Sequence, residues 1–226
     1  MVVNEVFYSL QGEGRLAGVP SVFVRLAGCP LRCRWCDTRY AWSPTAGTAY
    51  TPEQLRRAVA EYPTAHIVIT GGEPLLAPDF KPFLRSFAHR RMHITIETAG
   101  LHFEPGLPCN LMSISPKLAN STPIDPDQAA EHEARRLNTD ALQHLIEAYE
   151  YQLKFVVEEP ADLGEIASVV GRLKGVDPGR IWLMPQADDA ASLHERACWL
   201  ADYCKQTGFA LSPRLHVWLW NARRGK

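Results

Sequence analysis

The sequence carries no excess of either charge. Its 24 Lys and Arg are balanced by 25 Asp and Glu, leaving a formal net charge of −1. A chain this neutral lacks the electrostatic footprint of a protein whose main partner is nucleic acid. It has no apolar run approaching the roughly 20 residues of a membrane-spanning helix. Residues 1–10 lack the basic-then-apolar layout of a secretory signal, since Asn4 and Glu5 interrupt them. No repeat, low-complexity tract or linker divides the chain. These absences leave a reducing, cytosolic setting as the expectation, with neither membrane nor nucleic acid as a partner. What remains is 226 residues, 46% of them hydrophobic, enough for one domain over 1–226 with its own core.

In a reducing compartment disulfides are rare, so the six cysteines need another explanation. Cys109, Cys198 and Cys204 are scattered and read as core residues. Cys29, Cys33 and Cys36 are crowded into one polar loop with Arg32, Arg34 and Asp37. Such spacing lets a loop wrap its sulfurs around one compact metal centre. A structural zinc site wants four ligands, and here the fourth would be remote, such as His66 or Cys109. A [4Fe–4S] cube also takes four cysteines, and three would leave one iron open for chemistry. Spacing alone leaves both readings standing.

Along the chain, short β-branched runs alternate with helical patterns. Strands are predicted at residues 21–26, 66–70, 93–97, 111–115, 152–157 and 181–184, with a last one near 215–219. Thr51, Pro52 and Gln54 predict a capped helix start, and helices follow near 79–87, 139–149, 162–173 and 189–207. No helix is predicted between the third and fourth strands, where residues 101–108 hold two prolines and a glycine. Residues 120–136 are polar and give no clear pattern. This alternation predicts an α/β fold of parallel strands joined by right-handed crossovers and apolar on both faces. Six such units fall short of a closed eight-fold barrel, so an incomplete, partial parallel β/α barrel of about six βα units is expected, with a doubly wound sheet as the alternative. Chemistry in such folds collects at the C-terminal strand ends. The unusual residues fall there: the cysteines, Gly71-Gly72-Glu73, Glu97-Thr98, Ser115-Pro116-Lys117 and Met184-Pro185-Gln186.

The Cys29-x-x-x-Cys33-x-x-Cys36 spacing, with Trp35 before the last cysteine, resembles the signature of the radical S-adenosylmethionine superfamily. Gly71-Gly72-Glu73-Pro74 resembles its second motif. Leu10-Gln11-Gly12-Glu13-Gly14, Phe23-Val24-Arg25-Leu26, Cys36-Asp37-Thr38, Glu97-Thr98-Ala99-Gly100 and Ser115-Pro116-Lys117 occur in the order of one of its families, the 7-carboxy-7-deazaguanine synthases. The resemblance implies a lyase of queuosine and 7-deazapurine biosynthesis. Its reaction would contract the ring of 6-carboxy-5,6,7,8-tetrahydropterin with loss of ammonia, using a [4Fe–4S] cluster, S-adenosylmethionine and Mg²⁺. A homodimer and a flavodoxin-like or other low-potential reductant are implied as partners.

The same resemblance implies residue roles. Cys29, Cys33 and Cys36 would hold the cluster and Thr38 the Mg²⁺. S-adenosylmethionine would lie against Trp35, Cys36, Asp37, Gly71, Gly72, Glu73, Gly100, Ser115, Pro116 and Lys117. A late nucleoside loop would be formed by Met184, Pro185, Gln186 and Ala187, where the wording departs from the family. Substrate would meet Leu10, Gln11, Gly12, Glu13, Arg25, Thr98 and His216. Gln11 both donates and accepts, as an amide edge requires, and Arg25 suits a bidentate carboxylate clamp. Plainer readings stand beside these: a flexible glycine loop, a structural ion pair at Arg25, a tight turn at Gly71-Gly72, a solvated Lys117 and a core His216. The basic ending Arg223-Arg224-Gly225-Lys226 leaves a substrate contact by the chain terminus open.

Overall fold

The computed structural model describes residues 1–87, 92–221 and 223–225; Lys226 of the basic ending lies outside them. Every strand joins one nine-stranded sheet, in the order β3-β1-β2-β4-β5-β6-β7-β8-β9. The strands are β1 (Val2–Leu10), β2 (Pro20–Leu26), β3 (Thr48–Ala49), β4 (His66–Gly71), β5 (His93–Thr98), β6 (Leu111–Ile114), β7 (Tyr151–Val157), β8 (Ile181–Pro185) and β9 (Ala210–Leu211). From β2 to β9 all neighbours run parallel. β1 is antiparallel to β2 and β3. The sheet is therefore mixed and not closed, an α/β partial barrel of seven parallel strands, the last only two residues long, with β1 and the short β3 added antiparallel at the other edge.

The helices are α1 (Pro52–Ala60), α2 (Phe80–Arg85), α3 (Pro126–Arg135), α4 (Thr139–Ala148), α5 (Asp162–Gly171), α6 (Ala190–Thr207) and α7 (Leu215–Trp220). Thr51 caps α1 in the expected reciprocal box with Gln54, and no helix separates β5 from β6. Among the described residues no helix is long and apolar enough to cross a membrane.

Alternation along the strands divides their residues between two environments. Outward residues such as Val24, Ile67, Ile69, Ile94, Ile96, Leu153 and Phe155 pack with Leu55, Phe83, Leu84, Leu145 and Ile166 of the helices to form the core. The inward face differs from the expectation of strands apolar on both sides. Thr95, Ser113, Gln152 and Lys154 are buried there, and Gln152 Nε2 donates to Ser113 Oγ at 2.8 Å. A partial barrel has an interior to fill, and this one fills part of it with hydrogen-bonded polar groups.

Three local expectations are corrected. Residues 215–219 are helical, within α7, so His216 stands on a helix and not a strand. Arg214 O accepts from Val217 N and Trp218 N at 3.0 and 3.1 Å, and Asn221 ends the turn with φ of +48°. Only Val217 of α7 is buried, whereas a strand would have buried alternate residues. The last strand is instead the two-residue β9. Cys198 is exposed, not in the core. The buried stripe of α6 runs through Leu193, Leu200 and Cys204, and five residues on from Leu193 turns about 140° away from it. Finally, residues 2–10, for which no element is predicted, form a full strand that carries Glu5, Phe7 and Ser9 opposite Arg25, Phe23 and Ser21.

Candidate active site

The C-terminal ends of β2 and β4 to β8 open into one cavity of about 270 Å³. Its wall includes Cys29, Cys33 and Cys36 from the loop after β2, Arg25, Gly71 and Gly72, Glu97 and Thr98, Ser113, Ser115 and Lys117, Lys154, and Met184 and Gln186. The loop after β1 adds Leu10, Gln11, Gly12 and Glu13, and the C-terminal segment adds Arg214 and His216. Trp35, Asp37 and Thr38 complete the cysteine side. Nineteen residues expected from sequence thus share one space, while Glu73, Gly100, Pro116, Pro185 and Ala187 are not among those lining it.

The cysteine loop is held by the segment whose pattern sequence could not resolve. Arg34 N donates to Ser121 O at 2.9 Å, Trp35 Nε1 to Asn120 Oδ1 at 3.3 Å, and Arg32 N to His132 Nδ1 at 3.2 Å. With Nδ1 accepting, His132 Nε2–H donates to Ser121 Oγ at 2.9 Å. Asn120 is pinned in turn to Val156 O and Asp162 Oδ2. The Arg32 guanidinium folds back on Cys29 O and Leu31 O at 2.7 and 2.8 Å.

All three thiols are free. Burial pushes Cys29 up to about 12, with Glu73 and the other two thiols adding to the shift. Burial likewise raises Cys33 to about 11 against the opposing pull of Lys117. Thiols this reluctant to ionise become thiolates when a cationic metal centre compensates them. A lone tetrahedral zinc would need sulfurs about 3.8 Å apart, given Zn–S bonds near 2.3 Å. Among the described residues no group of three His, Cys, Asp or Glu side chains is already gathered about a single ion. The remote zinc ligands considered from sequence, His66 and Cys109, lie at the opposite, N-terminal ends of β4 and β6. Cys29, Cys33 and Cys36 share the rim of the cavity, near enough for their charges to interact, and three such thiols fit a metal centre that takes thiolates. Thr38 Oγ1 lies 3.5 Å from Cys36 Sγ, close beside that rim.

The Gly71-Gly72 turn answers first to packing. Gly71 has φ of +119°, and a Cβ on Gly72 would come within 1.8 Å of Gly28 O. Gly72 N and Glu73 N continue the strand pairing to Leu26 O and Gly28 O, both at 2.8 Å. Glu73 then turns into the protein. Its carboxylate accepts from Thr98 Oγ1 at 2.5 Å, Ala99 N at 2.8 Å and Leu75 N at 3.3 Å, tying the ends of β4 and β5 together. Burial outweighs these bonds and raises its pKa. Lys117 is partly buried and tied down: it donates to Ser115 O and Oγ at 2.8 Å and sits 5.6 Å over the Trp35 ring.

The opposite wall is a charge network that sequence only half revealed. Glu13 pairs with buried Lys154 and lies 3.6 Å from Arg214 Nε and 3.7 Å from His216 Nε2. Burial alone would raise the Glu13 carboxyl, but Lys154, His216 and Arg214 together hold it well below the usual range. Burial lowers His216, with Arg214 and Lys154 pushing the same way. Arg214 also donates to Ala187 O at 2.6 Å and to Asp37 Oδ2 at 3.2 Å, so one guanidinium joins three loops. Arg25 uses Nε on Glu5 at 2.7 Å, and Glu5 also accepts from Tyr40 OH and Arg224 Nε. Glu97 Oε1 accepts from Gln11 Nε2 at 3.0 Å. Lys154, Arg214 and Glu5 were missed in the sequence, and Glu97 was placed at its strand end without a role. For Glu97 the available signal was its position beside Thr98 at a strand end; the others had none.

Comparison with known proteins agrees with this architecture. The family model described as Radical SAM superfamily matches residues 24–153, and membership of that superfamily implies an iron–sulfur cluster and S-adenosylmethionine. A protein of Halobacterium salinarum named 7-carboxy-7-deazaguanine synthase is 42% identical over 97% of this chain and 90% of its own length. One of the same name from Rhodopirellula baltica is 40% identical over 100% and 88%. The crystal structure of QueE from Escherichia coli superposes with a TM-score of 0.71 at 26% identity, covering 93% of this chain and 92% of that one. Similarity of this extent, on a fold and cavity built in this way, places the chain: it belongs to the 7-carboxy-7-deazaguanine synthase family of radical SAM enzymes.

Proposed function

We propose that this single-domain protein is a lyase that contracts 6-carboxy-5,6,7,8-tetrahydropterin to 7-carboxy-7-deazaguanine with release of ammonia, in queuosine or related deazapurine synthesis. The observation that carries the reading is the sharing of one cavity by the three thiols and by Arg25, whose two terminal nitrogens have no partner among the described residues. A redox centre and a free carboxylate clamp in one space suit radical chemistry on a small anionic heterocycle.

In this reading Cys29, Cys33 and Cys36 hold the [4Fe–4S] cluster. When bound, the cluster and S-adenosylmethionine supply a one-electron reduction and an organic radical able to remove a substrate hydrogen atom. The chain does the rest by placement. Trp35, Asp37, Gly71, Gly72, Ser115, Lys117, Met184 and Gln186 border the cofactor's half of the cavity. Glu73, Gly100, Pro116, Pro185 and Ala187 are buried behind the cavity wall, Glu73 bonded to Thr98 and the Ala187 carbonyl to Arg214. Leu10, Gln11, Gly12, Glu13, Arg25, Thr98 and His216 border the substrate's half. Thr38 offers a hydroxyl for Mg²⁺, which keeps several waters and takes few protein oxygens. The Arg25 fork matches a carboxylate in two parallel hydrogen bonds. We also infer a homodimer, a cytosolic setting and a low-potential reductant such as a flavodoxin.

Anaerobic incubation of the reconstituted protein with the carboxytetrahydropterin, S-adenosylmethionine and reductant tests the assignment. Mass spectrometry should show a deazapurine acid 17 mass units lighter than the substrate, the loss of ammonia (about 17 Da). Unaltered pterin beside an intact cluster would overturn it. The family's Mg²⁺ role predicts that chelation lowers turnover and that Thr38→Ala raises the Mg²⁺ needed.

A further inference from the structure

We propose that Glu97 determines substrate specificity by accepting hydrogen bonds from the 2-amino group and neighbouring ring N–H of the pterin, while Arg25 takes the carboxylate at the other end. The inference rests on the pterin reading above and deepens it.

Three carboxylates line the cavity, Glu13, Asp37 and Glu97. Glu13 is ringed by Lys154, Arg214 and His216, and Asp37 is bonded to Arg214. Among the described residues, Glu97 has no cation within 4.0 Å. Its Oε1 accepts from Gln11, and Oε2 has no partner among the described residues. Lys154 is near enough for its charge to be felt at Glu97 but is bonded to Glu13, so a ligand that covers the Glu97 carboxylate still incurs a desolvation cost unless it brings N–H donors of its own. The best match to a carboxylate is a planar pair of parallel donors, as in a guanidinium fork. A 2-amino-4-oxopyrimidine ring presents that pair as its amino group and adjacent N–H.

The sheet sets the length of the ligand. Arg25 of β2 is level with Thr70 of β4. Ile69 of β4 is level with Ile96 of β5, which brings Thr70 level with Glu97. Arg25 and Glu97 therefore stand two strand spacings apart, roughly 10 Å at the backbone, both facing the cavity. One end offers a free guanidinium fork and the other a free carboxylate oxygen. A fused bicycle with a carboxylate at one end and a cyclic guanidine at the other has that polarity and comparable length. The stacked Phe7 and Phe23 rings, 4.9 Å apart, line the same wall beneath Arg25 and give a flat ring an apolar bed.

The test compares binding of the carboxytetrahydropterin with that of its analogue bearing oxygen in place of the 2-amino group, in the reconstituted wild-type enzyme and in Glu97→Gln. The wild type should prefer the amino compound. Glu97→Gln should weaken the amino compound about 10- to 100-fold and bring the preference toward unity, with cluster iron and S-adenosylmethionine affinity unchanged. Arg25→Lys should weaken both compounds alike and keep the preference. Glu97→Asp, which retains the charge, should lower affinity but keep the preference. Equal preference in wild type and Glu97→Gln overturns the proposal while leaving the pterin reading intact. A wild type indifferent to the 2-amino group overturns the proposal whatever the variants do. A wild type that binds neither compound overturns both this inference and the function on which it rests.

Discussion

Lys154 is the clearest place to test whether the inward face of the barrel is held electrostatically. Its side chain is 5% exposed and its ammonium is paired with Glu13, itself 17% exposed. Replacing Lys154 with Met keeps most of the stem's volume and deletes the charge. Removing one partner of a buried pair costs about 3–5 kcal/mol, because the other charge stays buried and uncompensated. Here Glu13 keeps Arg214 Nε at 3.6 Å and His216 Nε2 at 3.7 Å, so the lower end applies, about 3 kcal/mol. Glu13→Gln in the same background removes the orphaned charge, and the double variant should recover at least half of the loss. The coupling between the two sites should then be about 2 kcal/mol. Urea unfolding at constant m-value measures it, as a shift of the midpoint. A loss below about 1 kcal/mol for Lys154→Met, or effects additive within about 0.5 kcal/mol, would refute the claim that this pair is a buried, interacting one.

Further outcomes follow from other contacts. Gly12→Ala places a Cβ 2.3 Å from His216 Nδ1, so it should raise the KM for substrate, and adding His216→Ala should cost less than the two single effects combined. Gly72→Ala meets backbone, Gly28 O at 1.8 Å, so it should destabilise by more than about 3 kcal/mol in unfolding experiments and no side-chain change nearby should rescue it. Burial lowers the pKa of His93, His132 and His216 below the ordinary 6.5, so the unfolded chain binds more protons than the folded one. Stability should therefore fall as pH drops through 6.5, and His132→Gln should flatten part of that slope in unfolding titrations. Because His132 Nδ1 accepts from Arg32 N, iron retention should fall over the same pH range, and His132→Leu should show the loss at every pH.

How much of this was legible depends on whether the determining contacts are local. The Thr51 cap and the β-branched runs before residue 185 are each set by residues a few positions apart, and each formed the element expected of it. The run from Leu215 to Trp220 did not, because six residues of which five are apolar satisfy a strand and a short helix alike. The decision falls to the hydrogen bonds from Val217 and Trp218 back to Arg214 and to the left-handed Asn221 that ends the turn. The polar segment 120–136 carries no hydrophobic period, because its work is to hold another loop: Asn120, Ser121 and His132 supply partners to Arg32, Arg34 and Trp35.

The site divides in the same way. Motif residues at strand ends could be placed in one mouth from topology alone, since parallel strands bring their C-terminal ends together however far apart they lie in sequence. The groups that neutralise them could not. Lys154 meets Glu13 across 141 residues, and Arg214 meets Asp37 across 177. Each cation belongs to a segment whose pattern speaks only of packing: Lys154 sits in a strand buried at every position, and Arg214 follows a proline before a short helix. Pairing of this kind becomes visible only after the barrel brings β7 and the C-terminal segment against the loop after β1. It also decides which charges remain for a ligand. With Glu13 and Asp37 committed internally, Glu97 and the fork of Arg25 are the polar ends still open to a ligand, and their fixed separation on the sheet makes the site selective for a molecule charged at one end and rich in N–H donors at the other.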